Sequence, residues 1–379
     1  MVGGPSYEDQ PFNIATQGAR QPGSSWKPFT LVSALELGHS PYEVYSSQPK
    51  TFDFGRHGKQ QFEVNNYEDQ YLGSASILSA TTYSDNSVYA ELGLTLKDRP
   101  KRSTRYIAGT AHKMGITSPV SVNPAMVLGG LKLGVNPLEM AHAYETLAEG
   151  GRRISGTLAE RPGIDPVAYS RVTDSDGNII KDRKGQEAEN DSVKTRVMPK
   201  SVADTAKSIL ETVVSSGTGE NAAGASDYEW GKTGTTEDNG DAWFCGATED
   251  VTSCVWVGHA DSVQPMETEY GGAPVDGGTI PALIWFDVIS AWESIKAAHQ
   301  ADEDAGDVSS SETSSSSAPS TTYSAPPSTS STESSSSGSD SSGTSPAPAP
   351  APQSAPAPAP APAPSGGAAG GTGAVSPSG

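Results

Sequence analysis

The sequence predicts an α/β (α+β) fold in which an antiparallel sheet is flanked by helices, with an all-helical subdomain and a disordered C-terminal tail. Three observations carry this. Helical periodicity dominates the middle of the chain, and two strand-like runs, Ala242 to Ala247 and Ser253 to His259, follow each other near its end. From about Asp302 the composition then collapses to Ser, Thr, Pro, Ala and Gly. Such a segment buries too little apolar surface to offset chain entropy. Residues 1–296 are therefore read as one folded domain and 297–379 as a tail, with the Pro/Ala run from Pro346 to Pro364 as an extended spacer.

Charge and composition exclude several function classes. The 379 residues carry a formal net charge of -20 and no concentrated basic stripe, which argues against nucleic acid as a partner. The short basic run from Arg99 to Arg105 reads as a solvated helix start. The six histidines lie far apart and do not pair with cysteines at ligand spacing, so no metal or other cofactor is implied. No apolar run reaches membrane-spanning length, and no signal peptide opens the chain. The opening Met1-Val2-Gly3-Gly4 instead reads as the end of a strand running into a turn, so the chain is expected to start within a domain. Cys245 and Cys254 flank a turn-like segment at Thr248 to Asp250 and would face each other in a hairpin. Two readings stay open for them: a disulfide, which would imply an oxidising compartment, or two small buried apolar side chains.

Taken along the chain, three short signatures fall on definable elements. In Gln21-Pro22-Gly23-Ser24-Ser25-Trp26-Lys27-Pro28-Phe29, Pro28 is tolerated only in a first helical turn, which places a helix start there and its periodic body over Thr30 to Leu37, ended by Gly38. Ser24 is then at a helix N-terminus, where free N–H groups favour an oxyanion, and Lys27 shares its face. Ser84-Asp85-Asn86 sits on a tight connector between a helix over Ser74 to Thr82 and another over Ser87 to Leu92, ended by Gly93. Lys232-Thr233-Gly234-Thr235 opens the strand-rich region, preceded by an amphipathic helix over Ser201 to Val214 and followed by a last helix over Pro281 to Ile295. Two decoys are set aside on context. Ser47 to Lys50 is loop-like, with Pro49 opposing a helix, and Ser121 to Asn123 lacks a helix-connector-helix frame.

As an ordered set these signatures resemble the transpeptidase domain of class A penicillin-binding proteins. Arg20 to Phe29, Gly231 to Thr236, Asp241-Ala242-Trp243-Phe244 and Pro137 to Tyr144 carry the resemblance, which covers roughly residues 1–296. The chain departs from that family's two-domain design in showing neither a membrane helix nor a glycosyltransferase domain, nor the strands that precede the Val2-Gly3-Gly4 turn.

The resemblance implies a serine D,D-transpeptidase that cross-links peptidoglycan stem peptides ending in D-Ala-D-Ala and is acylated by β-lactams. It places the enzyme at the extracytoplasmic face of the bacterial membrane, held there only by an anchor outside this chain. Ser24 would be the nucleophile, Lys27 the base, Ser84 a proton relay and Asn86 a holder of the substrate amide. Lys232, Thr233, Gly234 and Thr235 would line a strand edge that pairs with the peptide and receives its carboxylate, and the N–H groups of Ser24 and Thr235 would form the oxyanion hole.

Lys27 serves as base only if burial and a neighbouring cation such as Lys232 lower its pKa, a hypothesis that an exposed-lysine titration by NMR would sink. A class A β-lactamase would add a glutamate for deacylating water. None in the insert before Lys232, which includes Gly150-Gly151 and Asp174 to Arg183, has that setting, and Glu139 and Glu145 read as helix residues. A D,D-carboxypeptidase or a non-catalytic β-lactam-binding module remain as alternatives.

Overall fold

Local signals of cap and proline set where most elements begin. The computed structural model describes residue 8 and residues 11–54, 60–158, 161–181, 185 and 187–309, with side chains as far as 303. A short helix α1 (Ile14–Gln17) starts where Asn13 accepts the Ala15 N–H. A 3-10 turn at Gly23–Trp26 runs directly into α2 (Lys27–Glu36), with Pro28 in its first turn. Next comes an arm of four short strands, β1 (Val44–Ser47), β2 (Lys50–Phe54), β3 (Gln60–Val64) and β4 (Gly73–Ser76). In it β1 pairs with β4 and β2 with β3, both antiparallel.

The helical part follows as α3 (Ile77–Thr82), α4 (Asn86–Thr95), α5 (Pro100–Met114) and α6 (Pro137–Ala148). Asn136 and Glu139 close a capping box on α6, which satisfies N–H groups that the helix itself leaves unpaired. A ribbon of β5 (Arg152–Gly156) and β6 (Ser192–Arg196) precedes α7 (Lys200–Ser216). The three-stranded antiparallel sheet is β7 (Trp230–Thr235), β8 (Asp241–Ala247) and β9 (Thr252–Gly258), in that order, and α8 (Ile280–Ser309) comes last. Among the described residues no helix is long and apolar enough to cross a membrane.

One core joins the helices to the sheet. Trp26, Phe29, Leu31, Tyr89, Ile107, Met126, Tyr144, Leu210, Trp230 and Trp243 are fully buried in it. Each such side chain contributes about 1.5–3 kcal/mol relative to exposure. Phe244, Trp285 and Ile289 form a second cluster under α8. The helix start at Pro28 and the strand at Lys232 are thus two walls of the same packed body.

Several expected boundaries are corrected. Gly73 to Ser76 is strand, and α3 begins only at Ile77, where Ser76 accepts the Ser79 N–H as cap. Gly93 does not end α4. It lies inside the helix, where a Cβ would come within 2.8 Å of Val127, so the glycine is there for close packing. The Ser47 to Lys50 segment is not loop-like, because Ser47 ends β1 and Lys50 begins β2. The final helix passes Ile295 and runs to Ser309. Cys245 and Cys254 pair across β8 and β9 with Cα atoms 4.1 Å apart and are joined by a disulfide. The expected turn at Met1 to Gly4 and the Pro/Ala run lie outside the described residues.

Candidate active site

Ser24 is presented by a turn that two glycines allow to lie against a strand. Gly23 has φ +49°, and a Cβ on it would sit 2.5 Å from the Thr235 carbonyl oxygen. A Cβ on Gly234 would sit 2.4 Å from the Pro22 carbonyl oxygen and 2.8 Å from Ser25 N. Only glycine permits this backbone approach, which brings the main chains of Ser24 and Thr235 side by side. The turn is pinned from behind by Tyr144, whose hydroxyl donates to the Ser25 carbonyl at 2.7 Å, and by Trp243, whose Nε1 donates to the Gln21 carbonyl at 2.8 Å. Ser24 therefore belongs to a 3-10 turn one step ahead of α2, and is not in the helix's own first turn.

Ser84 and Asn86 sit on the connector between α3 and α4. Ser84 has φ 57°, a left-handed conformation that a non-glycine residue holds only under constraint. Asp85 supplies the constraint as N-cap of α4, accepting the Val88 N–H and the Ser87 hydroxyl, each at 2.8 Å. Burial pushes the Asp85 carboxyl up, but hydrogen bonds from Ser47, the Val88 N–H, Ser87 and Asn66 outweigh it and hold the group below the usual aspartate range.

Two lysines converge on this connector. Lys27 Nζ donates to the Ser84 carbonyl at 2.6 Å and to Asn86 Oδ1 at 2.8 Å, and lies 3.1 Å from Ser84 Oγ. Lys232 Nζ lies 2.9 Å from the same hydroxyl and reaches Thr233. Both side chains are 0% exposed. Burial, then the charge of Lys232, drive the Lys27 pKa far down against the opposing pull of Asp85. Burial alone lowers Lys232 to about 7. Among the described residues no hydrogen bond joins Ser24 Oγ to Lys27 Nζ, and three oxygens on the connector take up the amine.

On β7, Thr233 Oγ1 is 2.6 Å from Thr218 Oγ1, and Thr235 Oγ1 accepts the Gly277 N–H at 3.1 Å. The structure thus brings Ser24, Lys27, Ser84, Asn86, Lys232, Thr233, Gly234 and Thr235 to one place, while Cys245 and Cys254 lie in the sheet behind. Of the decoys, Ser121 simply bonds Asn123 within its loop at 2.6 Å. Ser47 is different: it is buried and donates to Asp85. Sequence reasoning passed over Ser47, Asn66, Asp85 and Thr218. Asp85 alone left a readable signal, an N-cap residue before a helical apolar run. A cavity of about 700 Å³ lined by Glu139, His142 and Arg161 holds none of the three signatures, so cavity size is no guide to the chemistry here.

This geometry gathers two serine hydroxyls, two buried lysines and a strand edge into one site. The family described as the penicillin binding protein transpeptidase domain matches residues 1–276, and the chain belongs to that family. Penicillin-binding protein 2D of Bacillus subtilis is 30% identical over 261 residues, covering 68% of this chain and 35% of that protein. Penicillin-binding protein 1A of Mycobacterium tuberculosis is 31% identical over 293 residues, covering 72% and 32%. The chain spans about a third of the length of these curated relatives. Among solved structures, that of PonA1 from Mycobacterium tuberculosis in complex with penicillin V is similar with a TM-score of 0.58 at 29% identity, covering 74% of this chain and 70% of that one. Penicillin-binding protein 1A from Haemophilus influenzae matches with a TM-score of 0.58 at 25% identity, covering 76% and 45%.

Proposed function

We propose that this chain is the acyl-transfer domain of a peptidoglycan D,D-transpeptidase, acylated at Ser24 by stem peptides ending in D-Ala-D-Ala and by penicillins. The observation that carries the reading is the single Ser84 hydroxyl held between two fully buried amines. A hydroxyl flanked by one neutral and one charged amine is a proton relay, and burial is what makes a neutral lysine available near neutral pH.

In this reading Ser24 Oγ attacks the carbonyl of the penultimate D-Ala. Its proton passes to the neutral Lys27 amine, and the carbonyl electron pair moves onto oxygen. Catalytic hydrogen bonds that are long in a free enzyme tighten when substrate arrives, so the missing Ser24 to Lys27 bond does not oppose this step. The Ser24 and Thr235 N–H groups stabilise the oxyanion, each such donor contributing on the order of a hundredfold or more in rate. Collapse breaks the C–N bond, and the departing D-Ala amine takes a proton delivered through Ser84. An acceptor amine then attacks the ester, and Ser24 regains its proton by the reverse route.

Lys232, Thr233 and Thr235 would match the substrate carboxylate, Gly234 would let the peptide backbone lie along β7, and Asn86 would hold its amide. Transfer to an amine is supported by membership of the transpeptidase family. A site beyond the cytoplasmic membrane, where peptidoglycan lies, fits a chain that carries a disulfide.

The test is labelling with a fluorescent penicillin, with the adduct located by mass spectrometry. Label on Ser24 that disappears in Ser24→Ala is the expected result, and an adduct on Ser47 would overturn the assignment. A D-Ala-D-Ala peptide offered with a D-amino acid acceptor should yield the exchanged peptide. Hydrolysis alone would make the protein a carboxypeptidase, and stable acylation without turnover a sensing module.

A further inference from the structure

The second Ser-x-x-Lys, Ser47 to Lys50, has no place in the mechanism above, yet both of its polar ends grip α4. Ser47 Oγ donates to Asp85 Oδ2 and accepts the Leu72 N–H at 2.9 Å, and Lys50 pairs with Glu91 in the body of α4. Asn66, which follows β3 on the same arm, reaches the connector through both ends of its amide. Its Nδ2 donates to Asp85 Oδ2 and to the Gln70 carbonyl, each at 2.8 Å. Its Oδ1 accepts the N–H groups of Asn86 at 2.9 Å and Ser87 at 3.0 Å. The neighbouring Asn65 carbonyl accepts from Asn86 Nδ2 at 3.0 Å.

These contacts have a common target. Ser84 sits at φ 57°, and in that conformation its hydroxyl lies against two lysines. Asp85 is the next residue, and its carboxylate is shared between the helix, through Ser87 and Val88, and the arm, through Ser47 and Asn66. Asn86 is the residue after it, its N–H and its side chain both held by the arm. A connector with one strained residue followed by two that are fastened to a separate element has little freedom to relax.

We propose that Ser47 and Asn66 are positioning residues for acylation: through Asp85 and the Asn86 N–H, the β1–β4 arm clasps the connector and holds Ser84 and Asn86 against Lys27 and Lys232. This rests on the serine acyl-transfer reading. Displacing a reacting group by about 1 Å costs on the order of a hundredfold in rate. Loss of the clasp should accordingly slow acylation without removing the nucleophile.

The experiment compares two variants of nearly equal shape, Ser47→Thr and Ser47→Val, of which only the first keeps the hydroxyl. Asn66→Ala provides the second contact, and Lys50→Met disturbs the same arm without touching the connector. For each, the limiting acylation rate at saturating fluorescent penicillin is measured per folded molecule, together with the melting temperature. Ser47→Thr should stay within about threefold of the parent, whereas Ser47→Val and Asn66→Ala should fall about tenfold to a hundredfold. Lys50→Met should lower the melting temperature and leave the limiting rate within about twofold, since it removes only a partly exposed ion pair. Equal rates for Ser47→Thr and Ser47→Val, with Asn66→Ala near the parent, would overturn the proposal. So would a loss in Lys50→Met as large as in Ser47→Val, which would mean that the arm acts only through folding. Should Ser47→Thr fail to fold, the Asn66→Ala to Lys50→Met comparison decides alone. If the parent takes no label, or Ser24→Ala labels equally, it is the acyl-transfer reading that has failed and not the clasp.

Discussion

Lys27 and Lys232 meet on one hydroxyl: their amines lie 3.1 Å and 2.9 Å from Ser84 Oγ, and neither side chain is exposed to water. A hydroxyl offers one proton and two lone pairs, so it can accept from one ammonium while donating to one neutral amine. Two ammonium groups would repel each other in a poorly solvated place. Burial and the charge of Lys232 depress Lys27 against the opposing pull of Asp85, while burial alone depresses Lys232.

Replacing Lys232 with methionine should separate stability from function. The substitution removes a buried amine whose charged form is disfavoured by desolvation, so the melting temperature at neutral pH should rise. Penicillin acylation should fall about a hundredfold or more, the usual scale for loss of an electrostatic contact to the reacting group. A lowered melting temperature would contradict this account of the site.

Stability should increase with pH above neutrality. The folded pKa of Lys232, about 7, lies below its unfolded value. Between the two the unfolded chain binds the additional proton, and stability then rises with pH. Lys27 adds to the slope with the same sign. Urea midpoints between pH 7.5 and about 9.5 should climb, and climb less in Lys232→Met. A flat parent profile would mean that neither amine is held neutral.

Arg20 fastens the segment before Ser24 to the far end of the sheet. It lies 3.7 Å from Asp241, donates to the carbonyls of His259, Ala260 and Ser262, and stacks on Trp256 at 4.6 Å. Burial raises the Asp241 carboxyl, opposed by the Trp256 hydrogen bond and the Arg20 charge. Arg20→Ala leaves that carboxylate without its cation and should destabilise by about 3–5 kcal/mol. Chemical denaturation measures it, and a loss below about 1 kcal/mol would place the pair among surface-like ion pairs.

Reduction of the Cys245–Cys254 disulfide should cost about 2–3 kcal/mol, as expected for closing a short loop. The hairpin register remains, so penicillin labelling should persist in the reduced protein. Non-reducing peptide mapping reports the bond directly.

Much of the site was legible because its constraints are local. Pro28 admits only a first helical turn, and that alone places Lys27 at a helix start, with Ser24 in the turn just ahead of it. Cys245 and Cys254 face each other because a hairpin pairs residues symmetrically about its turn. Gly93 was misread as a stop because the close approach of Val127 is invisible along the chain. Ser47 was misread because its partner, Asp85, lies 38 positions away.

By itself the sequence determined which groups come together and in what order along the chain: Ser24 and Lys27, Ser84 and Asn86, Lys232 to Thr235. Spacing, capping and proline geometry act over a few residues, so they survive in a one-dimensional reading. Only the tertiary structure decided that the Lys27 amine bonds to Ser84 and Asn86, and that Ser47 of a discarded motif bonds to the Asp85 between them. Those outcomes depend on which acceptors packing brings within 3 Å of one buried amine, across separations of 57 and 59 residues, and no local pattern encodes that.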